Sequence, residues 1–62
     1  MKTGSVFWAN KPGETAHIYR FVNFNPFASL DNGYITLHDM TANKTINVAI
    51  FWFKERNLVF DD

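Results

Sequence analysis

Short apolar runs separated by turn residues dominate the chain and predict β-strands along most of its length. The most apolar run, residues 46–53, would be apolar on both faces as a strand, because successive side chains point to opposite faces. A chain of 62 residues has difficulty covering both faces of such a strand. The second face therefore requires a curled sheet, a second copy of the chain or a partner.

The N-terminal third of the chain predicts a β-hairpin. Residues 5–10 and 15–24 are the two predicted strands, and residues 11–14 form the turn between them. Pro12 presets φ for the second position of a type II turn, and Gly13 supplies the positive φ of the third position.

The register of this hairpin decides which aromatic side chains share a face. Placing the end of the first strand opposite the start of the second pairs Phe7 with Ile18 and Trp8 with His17. In that register Trp8, His17 and Tyr19 lie on one face of the hairpin.

A second hairpin is predicted after Pro26, which cannot donate to a strand ladder. Residues 27–30 form a short third strand and residues 34–39 a fourth. Asn32 and Gly33 between them are a strong signal for a two-residue turn with positive φ at both positions.

The registers of the third, fourth and fifth strands agree with one another. The turn at Asn32 pairs Leu30 with Ile35, and the next loop pairs Leu37 with Val48 and Ile35 with Ile50. All of these side chains then lie on one apolar face.

The C-terminal turn, residues 54–57, would pair Trp52 with Val59 and Phe51 with Phe60. No helix is predicted. We expect one all-β domain, residues 1–62, of five to six antiparallel strands in meander order, curled into a small, partly open SH3-like or OB-like barrel.

Composition excludes several classes of protein. The chain has no cysteine, so it has neither disulfides nor thiolate zinc sites. Six basic and six acidic residues are interspersed, without the basic stripe typical of proteins that bind duplex nucleic acid. No apolar run approaches the roughly 20 residues that cross a bilayer. Residues 1–5 lead directly into a strand, so we expect no signal peptide and a cytoplasmic protein.

Catalytic chemistry has few candidate residues. His17, His38 and Asp39 are the one potential metal-ligating cluster, but they lack the spacing of known metal motifs. Ser5 and Ser29 lie in no recognisable nucleophile motif. We therefore expect no enzyme, no bound metal and no cofactor.

The aromatic residues are more informative, because 11 of the 62 residues are Phe, Trp or Tyr. Most of the phenylalanines are expected in the core. The side chains left as binding candidates are Trp8, His17, Tyr19, Arg20 and Tyr34. Trp, Tyr and Arg are enriched at the centres of protein interfaces.

We expect a non-enzymatic protein-binding module, a small regulator or inhibitor of a larger protein of the kind that phages and mobile elements encode. A small barrel that stacks single-stranded nucleic acid on its aromatics is the alternative, which the neutral charge makes less favourable. A third hypothesis is a subunit that functions in assembly alone. A homodimer would use the apolar face of Phe51, Phe53 and Phe60.

Overall fold

The structure, a computed structural model, describes residues 2–26 and 33–61. These residues form one five-stranded antiparallel sheet in the order β4-β3-β2-β1-β5, together with one short helix. In chain order the elements are β1 (Val6–Asn10), β2 (His17–Asn25), β3 (Tyr34–Asp39), β4 (Lys44–Val48), α1 (Ile50–Lys54) and β5 (Asn57–Phe60).

The predicted all-β fold of antiparallel strands is confirmed, and the sheet is not closed into a barrel. β1 to β4 are neighbours in chain order, as in a meander, but β2 pairs directly with β3, whereas the prediction placed a strand of residues 27–30 between them. The fifth crosses over and pairs with the far side of β1. Within the described residues, β4 and β5 are therefore the two edges of the sheet.

The apolar run 46–53 does not form one strand, so that prediction is wrong. β4 ends at Val48, and after an extended residue at Ala49 the chain turns into α1. The helix has no capping side chain and only five residues, too few to be stable alone. Packing stabilises it, because Trp52 and Phe53 lie against the core of the sheet. One face of the sheet is thus covered by the helix rather than by a curled strand.

The start of α1 also overturns the predicted C-terminal pairing. Val59 pairs with Trp8 and Phe60 with Phe7, both on β1, instead of with residues 51 and 52. Backbone groups in a helix bond to each other, so residues 50–54 cannot pair with β5. β5 pairs with β1 instead.

The β3–β4 register is shifted by two residues from the predicted one. Leu37 pairs with Ile46 and Ile35 with Val48. A shift of two preserves the face of every side chain, so the shared apolar face of Ile35, Leu37 and Val48 is confirmed. The prediction is wrong for Ile50, which lies on α1 and not in the sheet. The connecting loop keeps its predicted length but is displaced by one residue, to residues 40–43, and Asn43 in it adopts a left-handed conformation with φ of 55°.

The predicted third strand, residues 27–30, lies outside the described residues, and so does Asn32. The predicted pairing of Leu30 with Ile35 therefore also lies outside the described residues; Ile35 itself pairs with Phe24 on β2 and with Val48 on β4. Gly33 has the predicted positive φ, at 87°.

In the first hairpin the turn is confirmed but the register is wrong. Glu14 N–H donates to the Lys11 carbonyl over 3.0 Å, and Gly13 has φ of 87°. The loop extends further, to residue 16, because the Asn10 amide donates to the carbonyls of Lys11 and Glu14 and replaces the expected strand pairing. Phe7 therefore pairs with Tyr19.

A β-bulge in β2 shifts which residues face the helix. Phe21 pairs with Leu37, and after the irregularity Asn23 pairs with Thr36. The extra residue brings Phe24, three positions after Phe21, to the same face of the sheet.

The core lies between the sheet and α1. Phe7 and Leu37 are fully buried. The Phe7 ring lies 5.6 Å from that of Tyr19, 5.9 Å from Phe53 and 5.5 Å from Phe60, centroid to centroid. Aromatic packing of this kind adds to the free energy of area burial and suits a chain without cysteine.

Candidate binding surface on the open face of the sheet

The sheet has an inner face, covered by α1, and an open face opposite to it. Because paired residues share a face, Tyr19 joins Phe7 on the inner face, and Trp8 joins Ile18 on the open face. The prediction that Trp8, His17 and Tyr19 share a face is therefore wrong. A register slip of one residue is the cause, since it exchanges the faces of one strand relative to the other.

An apolar row crosses the open face over three strands, β5, β1 and β2, and ends at the turn that follows β3. Val59 pairs with Trp8, and Trp8 pairs with Ile18. Met40 extends the row, since its amide donates to the Ile18 carbonyl over 2.8 Å. The exposed fractions are 64% for Val59, 44% for Trp8 and 40% for Met40. We call these four residues the apolar row.

Charged groups of both signs lie beside the apolar row. In the neighbouring row Arg20 is exposed and pairs with Val6 on one side and with His38 on the other. The exposed Asp61 lies at the end of this neighbouring row, because its backbone N–H donates to the Val6 carbonyl over 3.0 Å. A contiguous apolar stripe with a mixed-charge rim is the anatomy of a protein-binding patch.

Tyr34 is on the open face but far from the apolar row. It pairs with Asn25 at the opposite end of β2 and is half-buried. Six residues of strand separate it from Met40, a span of about 20 Å. On the open face the structure thus brings together Trp8 and Arg20 of the predicted binding set. His17 and Tyr19 lie together on the inner face, where their rings stack with centroids 6.1 Å apart.

Sequence reasoning missed three members of the apolar row. Ile18 and Val59 were assigned to other pairings, and Met40 was assigned to a loop position. Their exposure follows from the register of β1 with both of its neighbours, which turn residues alone do not determine.

His17 has a structural position on the inner side of the sheet. Its Nδ1 lies 2.9 Å from Oδ2 of Asp39, whose Oδ1 accepts the N–H of Ala42 over 2.9 Å. Asp39 is 3% exposed. Burial by itself would raise the pKa of this carboxyl, but the hydrogen bonds from Ala42, His17 and the Thr41 backbone together hold that pKa below its ordinary value. The Asp39 carboxylate therefore stabilises the β3–β4 loop through these hydrogen bonds.

The predicted metal-ligating cluster is not assembled. His38 pairs with Arg20 on the open face, whereas Asp39 and His17 lie on the inner side. In residues 2–26 and 33–61 no group of three or more potential ligands surrounds one point.

Tyr19 connects the sheet to α1. Its ring meets that of Trp52 edge-on, with centroids 5.1 Å apart. The Arg56 guanidinium lies 4.2 Å from the centroid of the Trp52 ring and donates to the Trp52 carbonyl over 3.1 Å. Burial, with the charge of Asp39 nearby, raises the pKa of the Tyr19 phenol above its ordinary value. This position is that of a core residue rather than of a binding anchor.

Two clefts lie outside the open face. A polar cleft of about 110 Å³ beside Tyr19 contains one potential acid or base pair, His17 with Glu14, and is smaller than a typical ligand site. An apolar cleft of about 440 Å³ lies on the inner side of the sheet, between the strands and α1. Its lining residues are Phe21, Phe24, Ile35, Ile50, Phe53 and Leu58.

The part of the chain that the structure describes contains no helix long and apolar enough to cross a membrane. Comparisons with protein-family models, with curated proteins and with solved structures found no match to this chain.

Proposed function

We propose that the protein is a non-enzymatic protein-binding module that regulates or inhibits a larger protein, and that it binds through the open face of its sheet. The observation that carries this proposal is the exposed apolar row beside Arg20 and Asp61. Contiguous apolar patches on the surface of a domain, unlike isolated apolar side chains, often mark interaction sites.

The size of the open face suits this role. The described chain has 4335 Å² of accessible surface. A standard protein interface covers about 800 Å² on each partner, roughly a fifth of that surface. The backbone extends 30 × 23 Å along its two longest axes, so one sheet face supplies an area of this order.

Trp8 is the proposed anchor of the interface. It lies between Val59 and Ile18 in the middle of the apolar row, where neighbouring side chains can exclude water around it. Such a central, partly exposed tryptophan is the residue type that contributes most binding free energy at interfaces. Arg20, one row away, supplies a charged group for orientation of the partner.

Capture from the lysate of the native host tests the proposal. The baits are the parent protein, Trp8→Ala and Phe51→Ala. The last is a matched control, because Phe51 is 65% exposed but lies on α1 rather than on the open face. We expect one protein to be retained by the parent and by Phe51→Ala and lost with Trp8→Ala. Equal retention by all three baits would contradict the proposal.

Nuclease treatment and salt distinguish a protein partner from single-stranded nucleic acid. The mixed charges around the apolar row predict a complex that survives nuclease and weakens little with salt. A nucleic-acid complex would instead lose affinity steeply, with a slope near −0.7 in log affinity per log salt for each phosphate contacted. A slope of about −3 or steeper with an oligonucleotide, and no retained protein after nuclease, would favour the alternative function.

A further inference from the structure

The free edge of β5 carries unpaired backbone groups at two known positions. Asp61 N–H donates to the Val6 carbonyl, so the backbone groups of Asp61 point toward β1. In an antiparallel ladder this direction alternates along the strand. The N–H and C=O groups of Leu58 and Phe60 therefore point away from β1. Within the described residues no strand lies on that side.

The two edges of the sheet differ in their side chains. β4 presents Lys44, Thr45 and Asn47, and a charged or polar edge discourages pairing with another strand. β5 presents Val59, 64% exposed, and Phe60, 46% exposed, without lysine or proline. Of the two sheet edges formed by residues 2–26 and 33–61, β5 is the one that combines outward-pointing backbone groups with exposed apolar side chains.

We propose that a second copy of this chain pairs with the β5 edge in antiparallel orientation. Pairing Leu58 with Phe60 of the second copy joins the outward-pointing backbone groups in four hydrogen bonds. The two-fold axis then passes beside Val59, which faces Val59 of the second copy. Every side chain keeps its face in this register, because paired positions differ by an even number of residues.

Charge compatibility and side-chain complementarity support a second copy as the occupant. Antiparallel pairing places the acidic Asp61 opposite the neutral Asn57 of the second copy, so no like charges of the described residues face each other along the paired edge. On the inner face the exposed Phe60 ring gains Leu58 of the second copy as a neighbour. The inference is independent of the proposed function, although the paired sheet would join the apolar rows of both copies through Val59.

Charged substitutions of Val59, which lies at the proposed two-fold axis, test this register. Sedimentation of the parent from about 10 μM to about 1 mM should show a reversible monomer–dimer equilibrium. Val59→Lys and Val59→Glu should each weaken dimerisation tenfold or more, because like charges then face each other. Their equimolar mixture should dimerise again. Val59→Thr, also β-branched, is the control and should remain a dimer.

The absence of cysteine in the chain allows a second test. Two cysteines introduced at a non-hydrogen-bonded antiparallel pair are close enough to form a disulfide. Val59→Cys should therefore form a covalent dimer on mild oxidation. Asn57→Cys should not, because the proposed register places it opposite Asp61 of the second copy. A parent that stays monomeric at about 1 mM, a Val59→Lys variant that dimerises as well as the parent, or equal cross-linking by both cysteine variants would overturn the proposal.

Discussion

Phe7 pairs with Tyr19 across the first hairpin, and their rings stack with centroids 5.6 Å apart. This pairing sends Trp8 to the opposite face from Tyr19. The two residues therefore have different roles: Tyr19 is 7% exposed and stabilises the fold, whereas Trp8 is 44% exposed and is available to a partner.

The first prediction concerns the stability of these two positions. Tyr19→Ala should lower the free energy of unfolding by about 3–5 kcal/mol, as for other buried aromatics, because it removes the contacts with Phe7 and Trp52. Trp8→Ala should cost about 1 kcal/mol, in the ordinary range for point mutations. Urea denaturation measures both. Equal losses would mean that Trp8 is a core residue and would contradict the assigned register.

The second prediction concerns the position of α1. Leu37 is fully buried, so Leu37→Ala should cost about 2–5 kcal/mol. Ile50 is 36% exposed at the start of α1, so Ile50→Ala should cost less than about 1.5 kcal/mol, since little apolar area is lost. If Ile50→Ala proved as costly as Leu37→Ala, residues 46–53 would be better described as one continuous strand.

The third prediction compares two glycines with nearly the same φ of 87°. A Cβ at Gly33 would meet the Asn25 carbonyl oxygen and Pro26 Cα, whereas one at Gly13 would meet nothing within 4 Å. Gly13→Ala should cost about 1 kcal/mol from the positive φ alone. Gly33→Ala should lower the unfolding midpoint considerably more, because backbone must also move. Similar midpoints for the two variants would exclude the close approach at Gly33.

The fourth prediction is a pH dependence at Asp39. Its pKa is lower in the folded chain than the ordinary value of 3.8, so the carboxylate stabilises the fold above that pH. The contribution disappears as pH falls through the lower, folded-state pKa. Asp39→Asn should therefore cost about 1–3 kcal/mol at pH 7.

The same measurement at low pH, with a control, completes the test of Asp39. The difference between the parent and Asp39→Asn should shrink as pH falls below about 4. Asp61→Asn, at an exposed carboxyl, should change the unfolding free energy by less than about 0.5 kcal/mol. A cost of Asp39→Asn that stays constant from pH 7 to pH 2 would exclude the stabilising role of the charge.

Turn chemistry made part of this fold predictable. Pro12 followed by Gly13 predicts the type II turn that the structure has. The positive φ of Gly33 was also predicted, although the predicted two-residue turn includes Asn32, which lies outside the described residues. The inward face of Ile35, Leu37 and Val48 was also predictable, because alternation is insensitive to a shift of two residues.

The strand registers and α1 were harder to predict from the sequence. A side-chain bridge from Asn10 lengthens the first loop, and nothing in the turn residues signals it. Five residues of α1 are too few to show a helical period, and its stability comes from contacts with distant strands. The candidate site depended on these features, so the predicted set is divided between the two faces: Trp8 and Arg20 lie on the open face, and His17 and Tyr19 lie on the inner face.

Affinity of the purified partner for two variants tests the central claim, that the open face is the binding surface. By calorimetric titration, Trp8→Ala should weaken binding by about 2 kcal/mol or more, roughly thirtyfold, since a central aromatic anchor is removed. Phe51→Ala, on the helix side, should bind within about threefold of the parent. Unchanged affinity for Trp8→Ala would contradict the claim. A loss of affinity confined to Phe51→Ala would also contradict it and would place the interface on the α1 side of the sheet.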